Sequence, residues 1–138
     1  MHLLIVSGRS GAGKSSALGA LEDLNFYCID NLPVALLSET VTTLTTVSPG
    51  RNLAVSIDIR TLGHPADVPA LVDALKNQVK RLDVVFIDAV DESLARRFSE
   101  TRRLHPLSTG IERTHLSDAL RRETERLEPI QSIATFKI

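Results

Sequence analysis

The sequence predicts a three-layer α/β domain built on a parallel sheet of five strands. Three observations lead there. Short apolar runs alternate with stretches of helical spacing, a glycine-rich loop separates the first apolar run from the first helix, and three of the runs end in an aspartate. Strands that alternate with helices imply right-handed crossovers and hence parallel pairing. At 138 residues the chain has room for one full domain and not for a second.

His2 to Ser7 (HLLIVS) reads as a buried strand that feeds the loop Gly8 to Gly13. Ala17, Leu18, Leu21 and Leu24 then fall at helical spacing, which predicts a helix from about Lys14 to about Leu24. Phe26 to Asp30 (FYCID) is a second strand, stopped by Asn31 and Pro33. Pro33 suits the first turn of a helix carrying Leu36, Leu37, Val41 and Leu44, because no intrahelical bond is lost there. Thr40, Thr42, Thr43, Thr45 and Thr46 lower helix propensity and predict fraying before Pro49 and Gly50. Leu53 to Asp58 (LAVSID) is the third strand, and Val68 to Leu82 is expected to form one long amphipathic helix. Asp83 to Asp88 (DVVFID) is nearly continuous in apolar character, as a central parallel strand requires. Glu92 to about Arg103 reads as a helix and Leu104 to Gly110 as a loop. Thr114 or Ser117 caps a further helix that ends at Glu128 and Pro129, and Ser132 to Ile138 forms the fifth strand. No closing helix follows that strand, so one sheet face is left partly bare, and the natural chain is expected to continue beyond Ile138.

Composition narrows the function classes. With 43% hydrophobic and 24% charged residues the chain is of ordinary globular make-up. Sixteen Lys and Arg against seventeen Asp and Glu leave a net charge of −1, so no global field attracts nucleic acid or anionic lipid. Aromatic residues make up 4% and Trp is absent, which argues against a base-stacking RNA surface. Cys28 is the only cysteine, so an intrachain disulfide or a cysteine-rich zinc site is excluded. The apolar run Leu3 to Val6 is too short to span a bilayer and has no basic segment before it. A cytoplasmic protein with no membrane partner is expected.

The residues Gly8-Arg9-Ser10-Gly11-Ala12-Gly13-Lys14-Ser15 match a phosphate loop: a glycine, four residues, then Gly-Lys-Ser, between a predicted strand and a predicted helix. At ordinary residue frequencies a chance match in such a chain has a probability of about half a percent. Glycines let successive backbone N–H groups face inward, and the helix adds its positive dipole end. A nucleoside triphosphate with Mg²⁺ is the matching ligand. Lys14 is expected to bridge the β and γ phosphates, and the Ser15 hydroxyl to take one Mg²⁺ coordination site. This loop directs the fold prediction to a kinase-like P-loop NTPase, with the strand order 2-3-1-4-5.

Ligands of open parallel sheets sit beyond the carboxyl ends of the strands, which places Asp30, Asp58 and Asp88 on the loop side. Asp58 ends a strand expected beside the phosphate-loop strand and precedes Arg60, so it is the candidate Mg²⁺ carboxylate, with Asp88 the alternative. Asp88 also reads as a helix cap. Asp30, with Asn31, stands where small-molecule kinases of this architecture bind an acceptor, or simply forms a turn before Pro33. Arg96, Arg97, Arg113, Arg121, Arg122 and Arg126 are interspersed with acidic residues and read as solvated helix faces. Arg102 and Arg103 differ, because they stand at a helix end beside His105 and Pro106, where kinase-like folds carry a phosphate-closing lid. His105 itself reads as a loop histidine.

The segments VSGRSGAGKSSALGALEDLNFYCIDNLP (Val6 to Pro33), SIDIR (Ser56 to Arg60), FIDA (Phe86 to Ala89) and RRFSETRRLHPL (Arg96 to Leu107) closely resemble the amino-terminal domain of the bacterial RNase adapter protein RapZ family. That resemblance implies a kinase-like fold that binds ATP and GTP and hydrolyses them weakly. In some bacteria it further implies delivery of a regulatory small RNA to an endoribonuclease that controls amino-sugar synthesis. The family's first nucleotide segment corresponds to Gly8 to Ser15, and its second, usually Asp-x-Arg-Asn, to Asp58, Ile59, Arg60 and Thr61. Thr61 replaces an amide by a hydroxyl, which weakens a base-reading role there and leaves Asp58 and Arg60 intact. Family members are about twice as long as this chain, and the half that carries most RNA contacts is absent from it, so RNA binding is not expected of these 138 residues.

The leading expectation is therefore a nucleotide-binding regulatory domain, with Lys14 and Asp58 as its catalytic pair and a slow ATPase or GTPase activity. Two other readings stand beside it. One is a small-molecule kinase that passes the γ-phosphoryl group to a sugar or nucleotide. The other is an interaction module in which nucleotide controls homo-oligomer assembly. Nothing in the sequence separates ATP from GTP.

Overall fold

Alternation of side chains along the strands decides which layer each one enters. In the computed structural model, which describes residues 1–9, 12–58, 63–88 and 116–138, five strands form one parallel sheet. They are β1 (His2–Gly8), β2 (Tyr27–Ile29), β3 (Leu53–Ile57), β4 (Arg81–Ile87) and β5 (Phe136–Lys137). Their spatial order is β2-β3-β1-β4-β5, the expected kinase-like arrangement. β1 lies at the centre, with Ile5 in register with Val55 on one side and Val84 on the other.

Leu3 and Ile5 of β1, Leu53, Val55 and Ile57 of β3, and Val84 and Phe86 of β4 all enter the larger core. Three helices cover them: α2 (Leu37–Val47) through Leu37 and Val41, α3 (Val68–Lys76) through Val68, Val72 and Leu75, and α4 (Leu116–Ser132) through Leu127 and Ile130. Residues of opposite parity, Leu4 and Val6 of β1 and Ala54 of β3, enter a smaller cluster with Leu18 of α1 (Lys14–Asp23). Each large aliphatic side chain buried this way stabilises the fold by about 1.5–3 kcal/mol. β1 and β3 are buried on both faces, which is why they read as continuous apolar runs rather than alternating ones.

Four boundaries differ from expectation, each for a physical reason. The threonines of α2 do not fray it: Thr40, Thr42, Thr45 and Thr46 donate their hydroxyls to the carbonyls of Leu36, Ser38, Val41 and Thr42. Leu37 and Val41 are buried in the larger core, and the helix holds to Val47, after a 3-10 turn at Val34–Leu36. α3 stops at Lys76, not at Leu82. Val79 and Leu82 still pack on the larger core, but Leu82 does so from β4, whose start is fixed where the N–H groups of Lys80 and Arg81 reach the Met1 carbonyl. α4 passes through Pro129 to Ser132, because Leu127 and Ile130 on either side of it are fully buried. The residues Ser132 to Ala134 accordingly close that helix, and β5 keeps only Phe136 and Lys137, paired with Val85 and Phe86.

The helix expected at Glu92 to Arg103, the loop Leu104 to Gly110 and the cap at Thr114 lie outside the described residues, while Ser117 falls within the first turn of α4. Among the described residues no helix is long and apolar enough to cross a membrane.

Candidate functional site

The loop after β1 begins at a glycine whose place any side chain would crowd. A Cβ on Gly8 would stand 2.0 Å from the carbonyl oxygen of Ile87, because β1 stays paired with β4 to its last residue. Ser7, fully buried, donates its hydroxyl to the Ile57 carbonyl over 3.0 Å and fastens the same point to β3. The loop thus leaves the sheet between two fixed neighbours. At its far end Gly13 has φ +107°, in the left-handed region that favours glycine, and leads directly into α1. Its N-cap residue, Gly13, has no side chain to cap it and no acidic residue stands in its first turn, so the positive end of α1 is suited to an anion.

Lys14 and Ser15 occupy the first turn of that helix. The Lys14 ammonium folds back over the loop and donates to the carbonyls of Gly8 (3.0 Å) and Arg9 (3.2 Å). Ser15 turns to the other side and donates its hydroxyl to Asp30 Oδ2 over 3.1 Å. Asp30 follows β2, and its second oxygen accepts the hydroxyl of Ser56, a fully buried residue of β3. Ser56 in turn accepts the N–H of Asn31 over 2.8 Å. Asn31 has φ +56°, a conformation asparagine tolerates better than most residues, and this bend carries the chain back over β3.

Across the loop, Arg9 is buried and donates Nε to Asp88 Oδ1 over 2.7 Å. Its Nη1 lies 3.5 Å from the Thr124 hydroxyl of α4. Asp58 follows β3 directly and is 2% exposed. Of the three strand-end aspartates, Asp30 accepts from Ser15, Asp88 accepts from Arg9, and Asp58 is buried at the end of the strand between β2 and β1. Of the other candidates, Ala12 is described, with its N–H on the Arg9 carbonyl. Ser10, Gly11, Ile59, Arg60, Thr61, Arg102 and Arg103 lie outside the described residues.

Two features escaped sequence reasoning. Ser56 carried a signal, being a hydroxyl in a strand otherwise wholly apolar, and only a partner explains it. The Arg9 to Asp88 pair joins residues far apart in sequence, and the parallel register of β1 and β4 alone predicts it. Nearby on β2, Cys28 donates to the Leu18 carbonyl over 3.4 Å. Burial pushes its thiol above the ordinary range, Glu22 adds to the rise, and Arg51 opposes it.

A family model for the RapZ-like N-terminal domain matches residues 1–138. This chain belongs to that family. Within it, the chain is 48% identical over 141 residues to a nucleotide-binding protein of Ectopseudomonas mendocina, covering 100% of this chain and 49% of the relative. It is likewise 48% identical over 136 residues to a nucleotide-binding protein of Vibrio parahaemolyticus, covering 97% of this chain and 46% of the relative. This RapZ-like chain thus spans about half the length of the curated relatives it matches. Among solved structures it is similar in fold to a shikimate kinase from Bacteroides thetaiotaomicron, with a TM-score of 0.55 and 19% identity over 99% of this chain and 85% of that one. It is also similar to YorR of Bacillus subtilis, solved with phosphorylated GDP, with a TM-score of 0.61 and 15% identity over 99% and 83%. The RapZ-like domain therefore has the kinase-like P-loop fold.

Proposed function

We propose that this domain binds ATP or GTP with Mg²⁺ as a cytoplasmic regulatory site and hydrolyses the nucleotide slowly. One observation carries the reading: Lys14 and Ser15 begin a helix that follows a glycine loop at the carboxyl edge of the sheet. The relatives named as nucleotide-binding proteins support it. Phosphates bound in the loop would exchange the Gly8 and Arg9 carbonyls for their own oxygens on the Lys14 ammonium. Gly8, Arg9, Ser10, Gly11, Ala12 and Gly13 would supply the loop, and Asp58, Ile59, Arg60 and Thr61 the second segment.

The donors near the loop suit Mg²⁺, since Ser15, Asp30 and Asp58 offer only hard oxygens. Ser15 would hold the ion directly. Asp58, at the end of the strand beside β1, is the carboxylate proposed for it through water, with Asp88 the alternative. When bound, Mg²⁺ neutralises charge on the transferring phosphoryl group. Arg102 and Arg103 remain proposed as a closing lid. Regulation of an RNase by the whole protein, with RNA bound by the other half of its length, is the setting in which such a site would act. In the kinase reading Asp30 would take an acceptor substrate beside the hydroxyls of Ser15 and Ser56 that it already accepts.

Titration with a fluorescent ATP or GTP analogue in the presence of Mg²⁺ tests the reading. Lys14→Ala should weaken binding by tenfold or more, and equal affinity in the two proteins would sink the proposal.

A further inference from the structure

We propose that Asp30 and Ser56 are positioning residues for the Mg²⁺ ligand Ser15, acting through a hydrogen-bond relay that runs from the backbone of Asn31 to the phosphate loop. The proposal rests on the reading of the loop as a Mg²⁺-nucleotide site, and it concerns two residues outside that loop, one just after β2 and one on β3.

A serine hydroxyl has one proton and two lone pairs, and a cation needs a lone pair. Left to itself, the Ser15 hydroxyl of an exposed first helical turn rotates freely, and an ion must first fix its direction. Here the proton is committed. Ser15 donates to Asp30 Oδ2 over 3.1 Å, so its lone pairs point away from Asp30. The carboxylate that takes the proton is itself held. Its other oxygen accepts the Ser56 hydroxyl, and Ser56 is fully buried in β3, a strand with neighbours on both sides.

The polarity of the relay is fixed from its buried end. The N–H of Asn31 can only donate, so Ser56 Oγ must accept it over 2.8 Å and has its proton to give to Asp30. The Ser56 carbonyl also accepts the N–H of Leu32 over 3.1 Å. Ser56 thus grips the turn after β2 by side chain and backbone together, with Asp30 between that grip and the loop. Its side chain lies on the face of β3 opposite Val55 and Ile57, on the side where α1 packs. The serine is where a relay to Ser15 has to be, on the face that carries the helix bearing Ser15. Partners one bond removed from a metal ligand typically tune metal affinity by about 10- to 100-fold.

Asp30→Asn is the sharp test, because the amide is nearly the same size but can donate to Ser15 and reverse the direction of its hydroxyl. Affinity for the fluorescent nucleotide is measured in EDTA and across a Mg²⁺ series for the wild type, Asp30→Asn and Ser56→Ala. The expected result is EDTA affinity within about twofold of wild type, with the Mg²⁺ concentration for half-maximal enhancement raised about tenfold in Asp30→Asn. Ser56→Ala should raise it less, because Asp30 is loosened rather than replaced. An unchanged Mg²⁺ midpoint in an Asp30→Asn protein that binds nucleotide overturns the proposal. So does an equal loss of affinity with and without Mg²⁺, which would mark Asp30 as structural. A wild type that binds nucleotide without regard to Mg²⁺ also overturns it, while leaving nucleotide binding itself intact. A wild type that binds no better than Lys14→Ala removes the nucleotide reading, and this proposal with it.

Discussion

The guanidinium of Arg9 and the carboxylate of Asp88 meet over 2.7 Å because Gly8 lets β1 run against β4 as far as Ile87. One residue further along each chain, the two side chains face each other. Arg9 is buried, whereas Asp88 is 41% exposed, so the pair is only partly shielded from solvent. Asp88 also donates its backbone N–H to the Ile138 carbonyl over 3.0 Å, which ties the start of the phosphate loop to the edge strand. Asp88→Asn keeps the shape and removes the charge that a buried guanidinium faces. It is expected to lower stability by about 1–2 kcal/mol, read from the urea midpoint at constant slope. No change in midpoint would show that the other contacts of Arg9 suffice.

Gly8→Ala tests the close approach itself. A methyl group 2.0 Å from the Ile87 oxygen forces β1 and β4 apart at the loop. A cost of about 3 kcal/mol or more is expected, which lowers the thermal midpoint by roughly 10 °C. Gly13→Ala has open space around it and is opposed only by its φ of +107°, so it should cost less. Thermal melts followed by circular dichroism order the two, and the reverse order would contradict the packing described for Gly8.

The strands and the candidate loop were legible from local patterns, and the strand order from the P-loop architecture that the loop implies. Apolar runs mark β1, β3 and β4, and the glycine loop fixes which strand begins the site. Boundaries were less legible where tertiary contacts override propensity. Val79 and Leu82 continue the helical spacing of α3 by coincidence, since each faces the same core from a turn and a strand. The α2 threonines carry low propensity, yet four of them bond back to carbonyls of their own helix. In the site, Lys14 and Ser15 were readable from the motif, but the partner of Ser15 was not. Asp30 reads equally as a turn former or an acceptor carboxylate, and only the packing of α1 beside β2 and β3 brings it to Ser15.

Cys28 gives the site's surroundings a pH signature. Burial first, and Glu22 second, hold its thiol protonated above the ordinary range. As pH rises, the unfolded chain ionises before the folded one, so this group favours unfolding increasingly from the ordinary thiol value up to the raised one. Below that window it contributes no pH dependence. At pH 8 the folded chain should react with a disulfide reagent more slowly than the urea-unfolded chain. Glu22→Gln should narrow the gap and Arg51→Gln widen it. Equal rates for folded and unfolded chains would contradict the shift.

Pro129 lies inside α4, where it leaves the Glu125 carbonyl without its helical N–H donor. The helix continues because Leu127 and Ile130 are both buried in the larger core, and the chain turns only after Ser132, whose hydroxyl donates to the Pro129 carbonyl over 2.8 Å. Pro129→Ala restores the missing donor and removes the ring's clash, a gain of about 3 kcal/mol on the propensity scale. It also frees the unfolded chain, which offsets about 1 kcal/mol. A net stabilisation of about 1–2 kcal/mol is expected, raising the thermal midpoint by roughly 5 °C. Ile130→Ala, by contrast, should cost about 2–5 kcal/mol, since it empties a site in the core. A helix that ended at Pro129 would gain nothing from Pro129→Ala. That substitution therefore distinguishes a proline that terminates α4 from one that the core holds within it.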